Sequence, residues 1–583
     1  MNGSEPLLTY EQSRHLDQRT MELGWTSTQL MGQAALSSLY RLQKLPAFSH
    51  IIILCGPGNN GGDGLALAWQ ILSSAGQKNW GADSSLTVVQ TARATSEASS
   101  FYERLLAKPS EANLIELVTV EEFLHSIRDA KGLPWIEKFT NGDRQTSKPP
   151  EPIESRQRDP DLQRNQSRDG MIEDQTIRDS GLLIVEALLG SGQNRPLEGS
   201  FAELGRWISE EQSKGAYLLS LDVPAGLLES ERFTETALFD PDEVHTYGPH
   251  RLACALDDRL LEHTSIYTHP IGFSPDMDSP FRLVRRDANR LTCFQREGNS
   301  HKYSNGSGWL MGGSTGMEGA MLLSARSFFS SGGGILQGIT GSQMGIVREE
   351  PSIMIKERLS LDSRVGAITM GPGCSKEDCI EFLEALSEQY SPSKKAPSLI
   401  LDAAAAVEAV QNPKWKKLLG RKTILTPHPG EWAAMGGAAI TDVDSLRLAM
   451  EFARDSAGSF VLYKASTSIL MDPFEDRAYL FPWINRSLAV AGTGDCLTGI
   501  LMSALCRSDD MITSVMAAME LLHASTETSI HPRSSRFPSL IQRALGKRQR
   551  RFQSKDPLER RNDGKRFGNP CKGGRRAPED PAP

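Results

Sequence analysis

The chain has 583 residues, 39% of them hydrophobic, with a formal net charge of −8 at pH 7 and 8 cysteines. That length exceeds what one hydrophobic core organises, so roughly two to four domains are expected, and so small a charge spread along the chain gives no electrostatic case for a nucleic-acid or membrane-surface partner. No apolar run reaches the roughly 20 residues that span a bilayer, the start MNGSEPLLTYEQ lacks the pattern of a secretion signal, and the scattered cysteines form no CxxC pair, which together point to a reducing, cytoplasmic setting.

In chain order, apolar residues recur at helical spacing between Leu8 and Leu42, as at Leu23, Leu30, Met31, Leu36 and Leu39. Ile51 to Cys55 reads as a buried strand, Gly56 to Gly64 as a glycine-rich turn and Leu65 to Leu72 as a helix, the opening of a βαβ unit. Leu86 to Val89 reads as the next strand. From about Asn141 to Ser180 the chain turns polar and proline-bearing, the composition of a disordered surface insertion. Leu182 to Val185 and Tyr217 to Leu221 read as central parallel strands, each running into an acidic residue, Glu186 and Asp222. A second globular block, from about Asp287 to Ala544, again alternates apolar strands with Gly- or Pro-rich turns. Lys547 to Pro583 is basic, with almost nothing to bury, and reads as a disordered tail.

The turn Gly56-Pro57-Gly58-Asn59-Asn60-Gly61-Gly62-Asp63-Gly64 satisfies GxGxxG between a strand and a helix, where glycines admit an anionic ligand close to the backbone. A dinucleotide dehydrogenase also carries an acid at the end of its second strand to hold the ribose. Here that strand ends in Gln90-Thr91, which counts against hydride transfer. The longer pattern GPGNNGGDGLALA resembles the signature of the NAD(P)H-hydrate epimerase family, and the likeness continues through LTYEQSRHLDQRTMELGWTSTQLMGQAA, VEALLGSGQNRPLEG and LDVPAGL. The resemblance implies that Asn59, Asn60, Gly61, Gly62, Asp63 and Gly190 contact the hydrated cofactor and that Asp222 binds it and does acid–base work. It also implies that Asn60, Glu186 and the position of Ala225 hold potassium. Glu186 stands where the family has Asp, and Ala225 where it has Ser; losing a hydroxyl while lengthening a carboxylate weakens a hard-cation site.

In the second block the carrying motif is NRSLAVAGTGDCLTG, Asn485 to Gly499. Small residues lead into Asp495 and an apolar helix, so the N–H groups of Gly492, Thr493 and Gly494 can surround a phosphoryl group while Asp495 takes a proton from an attacking hydroxyl. With HKYSNGSGWLMGGSTGMEGAMLLSARSFFSSGGG, ITMGPG, TILTPHPGEW and VLYKASTSIL, this resembles the ADP/ATP-dependent NAD(P)H-hydrate dehydratase family, which has a ribokinase-like fold. The resemblance implies contacts to the hydrate from Ala320, Gly373, His428 and Asp495, with Asp495 the catalytic base. Lys464, Ala465, Ser466, Thr467, Ser468 and Gly494 would hold the nucleotide with its magnesium. Departures occur at Val490-Ala491, at Ala465 and at Ala403-Ala404-Ala405 after Asp402.

The expected organisation is α/β throughout: a Rossmann-like open parallel sheet domain over residues 1–285, epimerase-like; a ribokinase-like α/β domain over 286–545, dehydratase-like; and the tail 546–583. The expected activity is repair of hydrated NADH and NADPH, with ADP or ATP as co-substrate, small molecules as partners and a homo-oligomeric assembly. A ribokinase-like small-molecule kinase, or a nucleotide-binding protein with a degraded epimerase half, are the alternatives the residues leave open.

Overall fold

The computed structural model describes residues 3–74, 85–107, 115–128, 181–230, 239–273, 278–296, 298–391, 393, 395–527, 529 and 531–553. The expected 141–180 insertion and the end of the basic tail lie outside these.

The smaller sheet has seven strands, all parallel, in the order Ile115–Thr119, Ser85–Gln90, His50–Cys55, Leu182–Ala187, Tyr217–Leu221, Glu243–Tyr247 and Ser265–His269. Its central strands are apolar runs because helices cover both faces; Leu182–Ala187 is buried at every position. Strand order reverses between His50–Cys55 and Leu182–Ala187, so the loops after these two strands open a crevice at their carboxyl ends, where open α/β sheets bind ligands.

The helix after the glycine-rich stretch differs from expectation. It runs Asn59–Ser73, so the Asn-Asn-Gly-Gly segment is its first turn and not a turn before it. The glycines serve close packing: a Cβ on Gly61 would stand 1.8 Å from the Gly56 carbonyl oxygen, and one on Gly64 2.8 Å from the Ala187 Cβ. Helical glycine costs about 1 kcal/mol relative to alanine, a cost offset here by contacts no side chain would permit.

The larger sheet has twelve strands. Met354–Ile355, Ile335–Ile339, Ser307–Met311, Ala367–Met370, Ser398–Leu401, Thr423–Leu425 and Phe460–Tyr463 run parallel, and Ser468–Asp472 and Arg477–Phe481 continue antiparallel. Three strands from the N-terminal side of the division expected at residue 285 complete it. Phe281–Val284 pairs with Arg477–Phe481, Ser4–Leu8 pairs with Phe281–Val284, and His250–Arg251 pairs with Leu7 and Leu8. Apolar burial accounts for this: Leu7, Leu252, Phe281 and Leu283 share one core with Trp309 and Met311 of the larger sheet. The chain's first strand thus stitches the two halves together. Thr9 then caps the helix Tyr10–Glu22 in a capping box with Gln12.

At the other end the helix Phe537–Gln553 carries past Lys547 into the stretch expected to be tail. Phe537, Leu540 and Ile541 anchor it by burial, and the Arg, Lys and Gln that follow are good helix formers that let it continue. Among the described residues no helix is long and apolar enough to cross a membrane.

Leu7 is fully buried at the seam. Leu7→Ala is expected to destabilise the protein by about 2–5 kcal/mol, the usual cost of emptying such a site. Urea unfolding of wild type and variant measures it, and a difference below about 0.5 kcal/mol would show that the first strand adds little to the seam.

Candidate active sites

In the larger sheet every expected functional loop leaves the carboxyl end of a parallel strand: Gly371 to Gly373 after Ala367–Met370, Asp402 after Ser398–Leu401, Thr426 to His428 after Thr423–Leu425, and Lys464 after Phe460–Tyr463. They converge on the N-terminus of the helix Thr493–Leu505. Its cap is Gly492 in the left-handed region (φ 91°), which offers no side chain to the first-turn N–H groups. Gly494 abuts Lys464, whose Nζ lies 3.3 Å from where a Cβ would stand. Lys464 donates to Asp402 Oδ1 at 2.7 Å, and the Thr426 hydroxyl donates to the same oxygen at 2.7 Å. Burial works against the Lys464 charge, but Asp402 holds its pKa above the ordinary value.

Asp495 lies in that first helical turn, half-buried. Burial, and then the negative charge of Asp402, push its carboxyl up to about 7, with Lys464 pulling the other way. Its helix is held in place by Ser324, which donates to the Asp495 carbonyl at 2.8 Å, and by Gly499, which lies flat against the Ser324 carbonyl.

Ala320 and Gly373 are neighbours. Gly373 has φ 63°, and a Cβ there would stand 3.0 Å from the Ala320 Cβ and 2.2 Å from the Met317 carbonyl oxygen, so only glycine fits. His428 caps the helix Pro429–Met435, its Nδ1 accepting from the N–H of Gly430 at 3.0 Å and of Glu431 at 3.3 Å. Nε2 therefore carries the proton in the neutral ring, and it stands 3.3 Å from Glu431 Oε1. The loop expected to hold the nucleotide divides. Lys464 faces Asp402, whereas Ser466 Oγ donates to Asp258 at 2.7 Å and Thr467 Oγ1 to the Ala255 carbonyl at 3.3 Å, both across the seam. Ala465 is half-buried, and the Ser468 hydroxyl donates to its carbonyl at 3.2 Å.

The site of the smaller sheet gathers at the crevice. Asn60 is buried; its Nδ2 donates to the Leu189 carbonyl at 3.0 Å, while its Oδ1 is buried with no hydrogen-bond partner among the described residues. Asn59 is exposed one residue earlier in the same turn. Gly190 lies between Asn60 and Asp222: a Cβ there would stand 3.0 Å from Asp222 Oδ2 and 3.1 Å from the Asn60 Cβ. Asp63, on the same helix, is pushed well up by burial and then by the charges of Asp222 and Asp17. Asp222 itself has φ 62°, rare for a side-chain-bearing residue and worth about 1–3 kcal/mol of strain, the kind of outlier that collects at functional sites. Its two oxygens are both engaged, Oδ1 by Arg251 Nη2 at 2.7 Å and Oδ2 by the Ser191 N–H at 2.9 Å.

Glu186 is fully buried and points both oxygens at backbone donors, the N–H of Leu188 at 2.8 Å and of Ala225 at 3.2 Å. Burial outweighs these bonds and pushes its carboxyl up to about 7. Among the described residues no group of three His, Cys, Asp or Glu side chains is placed to hold a metal ion. Of the three expected potassium ligands, Asn60 Oδ1 is the orphaned acceptor, Glu186 is already bonded, and Ala225 contributes an N–H donor.

Residues 309–543 match the family model described as NAD(P)H-hydrate dehydratase, and residues 27–106 and 150–251 that described as YjeF-related protein N-terminus. The chain belongs to the bifunctional NAD(P)H-hydrate repair family. A bifunctional NAD(P)H-hydrate repair enzyme Nnr of Thermofilum pendens is 23% identical over 77% of this chain and 77% of its own length. One of Coxiella burnetii is 26% identical over 84% and 88%. The ADP-dependent (S)-NAD(P)H-hydrate dehydratase of Bacillus subtilis is 29% identical, covering 41% of this chain and 86% of its own. The departures from the family pattern are physically linked: the longer Glu186 carboxylate reaches the N–H of Ala225, the residue that stands in place of the serine.

Four charged residues of these sites escape motif reading. Asp402 and Glu431 lie beside or inside quoted motifs, but it is their contacts with Lys464 and His428 and their charges, which reach Asp495, that reveal them. Asp17 and Arg251 come from segments with no chemistry-bearing pattern and are brought in by the seam.

Arg251 is the cation opposite Asp222 and Asp17, and it is almost wholly buried. Arg251→Met is expected to cost about 3–5 kcal/mol at pH 8, because it leaves buried carboxylates uncompensated. Without the cation the carboxyls bind protons more tightly when folded than when unfolded, so the deficit should shrink as pH falls toward 5. Urea unfolding at both pH values checks it; a deficit that does not change with pH would place the loss in packing.

Proposed function

We propose that the chain repairs hydrated nicotinamide cofactors: its C-terminal half dehydrates the S hydrate of NADH or NADPH at the expense of ADP or ATP, and its N-terminal half interconverts the two epimers at C6 of the ring. The observation that carries the reading is Asp495, a half-buried carboxyl near neutrality in the first turn of an uncapped helix, facing the Lys464–Asp402 pair. Glycine N–H groups and the helix N-terminus suit a phosphoryl group, and Lys464 adds a positive charge beside them. Asp495 takes the proton of the ring hydroxyl as it attacks the terminal phosphorus, the nucleotide leaves with the P–O bonding electrons, and loss of phosphate from C6 together with a proton from C5 then restores the double bond. Gly373, Ala320 and His428 form the ring side of this pocket.

Magnesium would arrive with the nucleotide and offset phosphate charge. Such ions commonly keep only one or two protein carboxylates, and Asp402 and Glu431 are the nearest to Asp495 by their effect on its charge. Potassium would sit in the crevice of the smaller sheet, where Asn60 Oδ1 is one of the buried oxygens that have no hydrogen-bond partner among the described residues. With Ala225 offering no hydroxyl, water completes the shell and the site is weak. A reducing, cytoplasmic setting fits the free cysteines at Cys55, Cys254, Cys293, Cys374, Cys379, Cys496 and Cys506.

Purified protein incubated with both hydrate epimers and each nucleotide should regenerate NADH, read by absorbance, until both epimers are consumed. Consumption of neither epimer with either nucleotide would sink the dehydratase reading. Asp495→Asn should lower the dehydration rate by about 10²–10⁴-fold while sparing nucleotide affinity. The base must be ionised, so the wild-type rate should rise with pH through about 7. Removing a negative neighbour eases that ionisation, so Asp402→Asn should move the rise to lower pH. A rate flat from pH 6 to 8 would exclude Asp495 as the titrating base.

A potassium titration of epimer interconversion tests the second site. The wild type should need more potassium than Ala225→Ser, which restores a hydroxyl ligand. Rates indifferent to potassium in both would mean that the ion has no part in this half.

A further inference from the structure

The helix Tyr10–Glu22 is laid over the crevice of the smaller sheet by a definite contact. Arg14 Nη1 donates to the Ser191 carbonyl at 2.8 Å, and the N–H of the same Ser191 holds Asp222 Oδ2. Asp17 is one helical turn on from Arg14 and shares its face. The charges of Arg251 and Asp222 both reach it, and its own charge reaches Asp63. Asp17 therefore lies on the helix face turned to the crevice that holds residues the family resemblance assigns to the hydrate.

The carboxyls there are not equivalent. Asp222 is anchored through both oxygens by Arg251 and Ser191, in a strained backbone conformation that fixes it further. Asp63 is pushed well above the usual carboxylate value by burial and by its two acidic neighbours. Asp17 is half-buried, and among the described residues burial and charge alone act on its carboxyl, with no hydrogen bond to fix it. Burial first, opposed by Arg251 and reinforced by Asp222, pushes that carboxyl up to about 6. The buried phenols of Tyr10 and Tyr247 are pushed well above their usual value and stay neutral. One fixed carboxylate and one exchangeable carboxyl in a single site is the arrangement that divides acid–base work from charge stabilisation.

We propose that Asp17 is the acid–base residue of epimer interconversion, with Asp222 the fixed carboxylate that stabilises the cationic ring. The assignment rests on the epimerase reading above. In the step, the Asp17 proton goes to the C6 hydroxyl, the C–O bond breaks with its electron pair leaving on oxygen as water, and the N1 lone pair forms a double bond to C6. Water then adds to the opposite face of C6, the N1–C6 electron pair returns to nitrogen, and the Asp17 carboxylate takes the released proton. Nothing is oxidised or reduced, and both water and proton are returned.

The test uses the full-length chain as wild type, Asp17→Asn and Asp17→Glu, each given a single hydrate epimer and followed by chiral chromatography above the buffer rate between pH 5 and 8. Dehydration of the S epimer with ADP, in the same preparations, controls for folding. Because the protonated carboxyl starts the reaction, the wild-type rate should fall as pH rises through about 6. Asp17→Asn should lower interconversion by about 10²-fold or more and abolish that fall, leaving dehydration within about twofold. Asp17→Glu should keep a pH-dependent fall at a shifted position. An Asp17→Asn rate near wild type overturns the assignment, and so does a reduced rate with the fall still in place, which marks a structural role. If Asp17→Asn loses dehydration too, Asp17→Glu decides: a profile identical to wild type overturns the proposal. A wild type with no interconversion above buffer, yet active in dehydration, overturns the epimerase reading and this assignment with it.

Discussion

The strand Ser4–Leu8 is wedged between Phe281–Val284 and His250–Arg251 at the edge of the larger sheet, and the geometry of both sites follows from where it sits. Pairing Leu8 with Arg251 brings an arginine from the smaller domain's last connection to a point where its side chain reaches Asp222. Ending at Leu8, the strand hands the chain to Thr9, which caps the next helix and sets the direction that carries Arg14 and Asp17 across the crevice. Tyr10 secures that turn twice, its N–H to Glu229 at 2.8 Å and its hydroxyl to the Leu227 carbonyl at 2.6 Å.

Electrostatically the two sites are built alike. Each has a buried cation held by a carboxylate at 2.7 Å, Arg251 with Asp222 and Lys464 with Asp402, and each has a second carboxyl nearby pushed toward neutrality. The pair fixes a charge where solvent is scarce, and the neighbour, denied a partner of its own, keeps a proton within reach of neutral pH. In both cases the pair comes from the ends of parallel strands or the turns just after them, so the sheet sets the distance between the charges and the loops contribute little play.

How much of this was legible in the sequence depends on how local the determinants are. The strands that end at Glu186 and Asp222 read directly from apolar runs, because a buried parallel strand needs no alternation. Asp495 and the glycines before it were legible as a small-residue entry to a helix. The Asn-Asn-Gly-Gly segment was placed correctly but given the wrong conformation, since glycines signal a turn locally while here Gly61 answers to the Gly56 backbone and Gly62 to Ser99 and Met31. Ser4–Leu8 is a five-residue strand whose partners lie more than 240 positions away, so periodicity could not separate it from the helix that follows, although Thr9 and Gln12 carried the capping signal. Asp17 and Arg251 were lost with it, being ordinary helix and strand-end residues until the seam closes.

The seam also bears on the second site. Ser466 and Thr467 turn their hydroxyls to Asp258 and the Ala255 carbonyl, which lie just after and within the short helical segment Leu252–Leu256 that follows Arg251. A nucleotide settling beside Lys464 would therefore meet the ammonium group and the first turn of Thr493–Leu505 before it met those hydroxyls, and using them would mean breaking bonds to the other half. Asp258, a carboxylate on the rim, also opposes a phosphate there. The same few residues that fix Arg251 on Asp222 thus limit how the loop of the neighbouring site can move. In this chain the two halves are joined by backbone pairing and by the polar groups of their sites, which a flexible linker alone would not achieve.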